Sequence, residues 1–77
     1  MFPSEQGSDM NLTIEFDREE DGRWIAEIKE LSGVLCYGRT REEAKANVQA
    51  LAFRVLADRL EHGETALDLM SVSFLAA

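Results

Sequence analysis

Residues 40–63 read TREEAKANVQALAFRVLADRLEHG, and this stretch decides the fold. Thr40 followed three positions later by Glu43 is a capping box: a hydroxyl takes one orphan backbone N–H and a carboxylate reaches back to another. Gly63 marks the far end, where a left-handed residue closes a helix. Between them Ala44, Val48, Leu51, Ala52 and Val55 recur at i, i+4, i+7, i+8 and i+11, one face of an α-helix. Ala46, Phe53, Leu56, Ala57 and Leu60 make a second apolar stripe, expected nearly opposite the first. A helix covering one side of a small sheet needs a single such face. Two explanations stand open for the second. Either it contacts another protein, with Phe53, Leu56 and Leu60 as self-association residues, or the last strand and the tail fold over it.

On the N-terminal side of the helix the period changes from 3.6 to 2. Within 11–17, Leu12, Ile14 and Phe16 alternate with Thr13 and Glu15, as in a half-buried strand. A charged turn over 18–22 ends in Asp21-Gly22, a reversal signal. Alternation resumes over 23–29, with Trp24, Ala26 and Ile28 on one face, which predicts an antiparallel hairpin. A second reversal over 30–33 contains Gly33. A short strand follows over 34–38 (VLCYG), apolar on both sides and ambiguous in facing. After the helix, 64–68 is expected as a connection. The stretch 69–75 is expected as a last strand in which Met70, Val72 and Phe74 alternate with Ser71 and Ser73.

The expected class is therefore α+β with element order β-β-β-α-β, sheet order 3-2-1-4, and one long helix on one face. Thr13, Glu15, Ile25, Glu27 and Tyr37 are expected on the other face, half in water. Residues 1–10 lack periodicity and read as a flexible leader, and 11–77 as a single domain.

Seventy-seven residues are enough for one domain of modest stability. The net charge of −7 is unevenly placed: residues 1–38 carry nine acids against three bases, and 39–77 six against five. An acidic first half repels phosphate and disfavours direct nucleic-acid binding. It attracts a basic partner and speeds the encounter. No uncharged run is long enough to span a bilayer, so no membrane association is expected. Cys36 is the only cysteine, so an internal disulfide is excluded and a reducing cytoplasm is the simpler setting.

Little in the chain points to catalysis, and neither an enzyme nor a cofactor or metal site is expected. His62, the only histidine, suits a helix C-terminus. Cys36 reads as a small core residue. No zinc spacing and no phosphate-binding glycine loop is present. The element order is also that of ribonuclease H-like nucleases, which hold two metal ions with carboxylates. The candidates would be Glu15 or Asp17, Glu43 and Asp68. Glu43 is already engaged in capping, and scattered carboxylates are expected in a chain with fifteen of them.

Residues 11–64, about two-thirds of the chain, resemble the HicB antitoxin family in its N-terminal toxin-binding domain. The resemblance rests on Asp21-Gly22 before Trp24-Ile25-Ala26, then Glu30-Leu31-Ser32-Gly33-Val34. Gly38-Arg39-Thr40 with Glu43-Ala44 follows, and Glu61-His62-Gly63-Glu64 ends the helix. Ser32 stands where the family usually has proline, and Arg39 where it usually has an acid. The resemblance implies a degraded ribonuclease H-like fold without nuclease activity, which neutralises a small basic HicA-like mRNA interferase by covering its RNA-binding surface. Apart from the resemblance, the single cysteine points to a cytoplasmic chain and the second helix stripe to a homo-oligomer, a dimer or tetramer. Many relatives carry a C-terminal DNA-binding module; the sequence after the expected last strand leaves no room for one, so none is expected here.

The toxin-binding candidates are Glu15, Glu19, Glu20, Asp21, Trp24, Glu27 and Tyr37. The alternative function is a stand-alone oligomeric scaffold or ligand-binding domain of the same fold.

Overall fold

The computed structural model describes residues 8–63 and 69–76; the expected connection at 64–68, with Asp68, lies outside them. The elements are β1 (Ser8–Arg18), β2 (Trp24–Ile28), β3 (Leu35–Gly38), α1 (Arg41–His62) and β4 (Leu69–Ala76). They form one sheet in the order β3-β2-β1-β4, the order expected from the sequence. β1–β2 and β2–β3 are antiparallel, whereas β1–β4 is parallel. Ser8–Met10, expected in the leader, belong to β1. They are drawn into the sheet because β4 supplies a partner from Leu69 onward. That long-range pairing leaves no local signal.

β1 is shared between two neighbours in a staggered way. Its residues from Ser8 to Ile14 pair with β4, and those from Ile14 to Arg18 with β2. Where β2 ends, the Glu30 carboxylate substitutes for a strand. It accepts hydrogen bonds from the Thr13 N–H at 2.8 Å and the Thr13 hydroxyl at 2.9 Å. The second reversal closes with the Val34 N–H donating to the Leu31 carbonyl at 3.1 Å. Gly33 sits at φ 81° there, the left-handed third position that such a turn requires. This resolves the facing of β3: Val34 and Cys36 turn inward, Leu35 and Tyr37 outward.

The capping box forms, with one displacement. The Thr40 hydroxyl accepts from the Glu43 N–H at 3.0 Å, while the Glu43 carboxylate accepts from the Arg39 N–H, one residue beyond the cap. At the other end Gly63 is left-handed, and its N–H donates to the Arg59 carbonyl at 3.0 Å. Glu42 and Glu43 lie in the first turn and Arg59 and His62 in the last, each matched to the helix dipole. Gly38 lets the helix start press on the sheet. A Cβ there would lie 2.3 Å from the Ala44 backbone nitrogen, so only glycine permits this approach.

The helix packs on β3 and β2. Its buried row is Ala44, Val48, Ala52 and Leu56, set against Leu12, Ile14, Ala26, Ile28, Leu31 and Val34. Leu56, expected on an outward stripe, is thus part of the core at 3% exposure. The reason is geometric: an i+4 row advances about 40° around the helix per step, so a buried ridge that starts at Ala44 has swung toward Leu56 three steps later. Phe53 and Leu60 therefore flank the core and do not oppose it. The Phe53 ring meets Phe74 of β4 edge-on, centroids 5.6 Å apart.

Candidate partner-binding face

The helix covers one face of the sheet, and among the described residues nothing covers the other. Strand alternation sends Glu15 and Asp17 of β1, Ile25 and Glu27 of β2, and Leu35 and Tyr37 of β3 to this open face. Glu15 lies directly opposite Glu27, and Asp17 opposite Ile25. Two like charges facing each other across an antiparallel pair cost stability. Lys29 relieves one of them, with its Nζ 3.3 Å from the Glu15 carboxylate. Glu27 has no ion-pair partner among the described residues. The outcome is an open groove of about 410 Å³ lined by Glu15, Phe16, Asp17, Glu19, Ile25 and Glu27. It has an apolar floor at Ile25 and four carboxylates around it, which suits a cation on an aliphatic stem.

Asp21 plays a different part from its neighbours. Its carboxylate accepts from the Arg23 N–H at 3.0 Å and from Arg23 Nε at 2.8 Å. These hydrogen bonds, led by the backbone one, hold its carboxyl below the usual carboxylate range. The same guanidinium stacks on Tyr37 at 4.3 Å, so Arg23 ties the hairpin turn to the β3 edge. Asp21 organises the turn, and Glu20 is exposed beside it, outside the groove.

Of the residues singled out from sequence, Glu15, Glu19 and Glu27 are brought together in the groove, and Tyr37 lies along its side of the sheet. Trp24 is not among them. It pairs with Gly38, shares the face of Ala26 and Ile28, packs against the core and lies under Arg18 at 5.4 Å. The sequence offers Asp17 only as a metal ligand, and its place in the groove follows from its alternation with Glu15. Leu35 carried no signal, because β3 is apolar on both sides.

Cys36 is half-buried against the helix, and its thiol donates to the Asn47 carbonyl at 3.5 Å. Among the described residues no group of three or more His, Cys, Asp or Glu side chains is arranged to hold a metal ion. Nor is any helix long and apolar enough to cross a membrane. Comparison with protein families, curated proteins and solved structures finds no match for the chain.

Proposed function

We propose that this chain is a HicB-like antitoxin that neutralises a small basic HicA-like ribonuclease by occluding its RNA-binding surface. The observation that carries the reading is the open sheet face, where Glu15, Asp17, Glu19 and Glu27 surround Ile25. A surface built to hold RNA phosphates presents lysine and arginine, and a carboxylate-lined groove competes for the same side chains. A partner's aliphatic stem would lie over Ile25 with its cation among the carboxylates. Rim charges of this kind contribute about 0.2–1 kcal/mol each and mainly accelerate association. The mechanism is steric and electrostatic, with no bond made or broken.

The test is co-purification with the small basic protein encoded beside this chain, one of the two being tagged, followed by an RNA-cleavage assay. A complex with cleavage silenced is expected. Joint reversal Glu19→Lys and Glu27→Lys should weaken it about tenfold or more and flatten its salt dependence. A partner that does not bind, with this chain running as a well-folded oligomer, moves the reading to the stand-alone scaffold or ligand-binding domain.

A further inference from the structure

Two cations of the chain itself lie on the open face, and they are held differently. β2 and the residues that flank it set Arg23, Ile25, Glu27 and Lys29 on this face by alternation. Lys29 takes a carboxylate alone, with its Nζ 3.3 Å from Glu15. Arg23 takes a carboxylate and a ring together. Its Nε donates to Asp21 at 2.8 Å, while its Cζ stands 4.3 Å from the centroid of Tyr37. Arg18 on Trp24 and Arg41 on Phe16 are also stacked, but both of those rings pack against the core on the helix side of the sheet. Among the described residues, Tyr37 is therefore the ring on the open face that holds a guanidinium.

This seat adjoins the groove. Asp17, Ile25 and Tyr37 are register partners in one row across β1, β2 and β3. Ile25 is the groove's apolar floor, so a side chain leaving the groove toward β3 meets the Tyr37 ring next. Tyr37 is 39% exposed, and the Arg23 and Asp21 side chains are 48% and 55% exposed. An ion pair this open is weakly held. The turn does not depend on it. The Asp21 carboxylate also accepts from the Arg23 backbone N–H at 3.0 Å, and the Glu19 N–H donates to the Arg23 carbonyl at 2.8 Å. Neither bond uses the guanidinium, so the Arg23 side chain can swing away with the hairpin intact. The seat is also selective. A guanidinium is planar, and it stacks on a ring by its face while an N–H in its plane reaches a carboxylate. A lysine ammonium is more strongly hydrated and has no such plane.

We propose that Tyr37 and Asp21 form a seat for an arginine of the basic partner, that Arg23 fills this seat in the free chain, and that the partner's arginine displaces it. The inference rests on the reading of the open face as a surface for a basic partner. It adds which cation that face prefers and which residue of the chain competes for the place. A neutral side chain at position 23 vacates the seat and raises the affinity for arginine more than for lysine.

The experiment is an NMR titration of the full chain with two capped peptides, tetra-arginine and tetra-lysine, at low ionic strength. The ring protons of Tyr37, the only tyrosine, report on the seat. Arg23→Ala should tighten tetra-arginine binding about two- to fivefold more than tetra-lysine binding, the size of one exposed cation–ring contact. Arg54→Ala removes the same charge from an exposed position on the helix, across the sheet, and should shift both peptides equally. Adding Tyr37→Leu to Arg23→Ala should abolish the gained preference, with the circular-dichroism spectrum unchanged. An arginine preference that is the same in the wild type, Arg23→Ala and Arg54→Ala overturns the proposal, and so do Tyr37 resonances that neither peptide moves. The peptides contain no part of a toxin, so a toxin that fails to bind leaves the seat standing. A toxin that binds, beside peptides that show no arginine preference, overturns the seat alone.

Discussion

Two regions of this small protein share one sheet and differ in how they are held. In the first, β2, β3 and the second half of β1 lie under the helix, and Ala26, Ile28, Val48, Ala52 and Leu56 are all at or below 3% exposure. In the second, the first half of β1 and β4 make a parallel ribbon in which Leu12 is fully buried while the helix-side Met10, Val72 and Phe74 are only partly buried. The first region closes its core within the chain. Among the described residues, the second leaves the outer edge of β4 unpaired and Leu75 exposed.

The sharpest break between the two is a truncation in each. Leu56→Ala removes a fully enclosed side chain and should cost about 2–5 kcal/mol, read by chemical denaturation. Val72→Ala, in dilute solution, should cost less than about 1 kcal/mol, because the valine is only partly buried. Equal losses would mean that the ribbon is packed as firmly as the helical region. Gly38→Ala comes next. Its new methyl must displace the Ala44 backbone, and about 1–3 kcal/mol of destabilisation is expected, with the damage confined to the helix–β3 junction.

Smaller still is Thr40→Ala, which removes the cap on the Glu43 N–H and should cost about 1 kcal/mol in thermal unfolding. The smallest effect joins the two regions. Glu30 completes the strand pairing of Thr13 at their boundary. Those hydrogen bonds, the backbone one first, hold its carboxyl below its ordinary 4.5. Its contribution is therefore present above the ordinary value and fades as the pH falls through the lowered one. Wild-type stability should drop more steeply below about pH 4.5 than that of Glu30→Gln. Parallel acid limbs would remove Glu30 from the boundary.

How much was legible beforehand follows from the range of each interaction. The helix limits, the hairpin and the inward faces of β1 and β2 rest on local caps, turns and alternation, and they stand as read. Trp24 lies outside the groove, on the face of Ala26 and Ile28, a parity already visible in the alternation over 23–29. Leu56 was misjudged because a wheel drawn from one stripe ignores the drift of an i+4 ridge.

The element order, the capping and the excess of carboxylates in the first half are written in neighbouring residues, and the sheet order follows from them with the right-handed return of the chain after the helix. Only the tertiary structure decided that Ser8–Met10 are strand and that Glu15, Asp17, Glu19 and Glu27 converge on one groove. These depend on pairings between segments far apart in the chain, and such contacts are set by packing of the whole sheet.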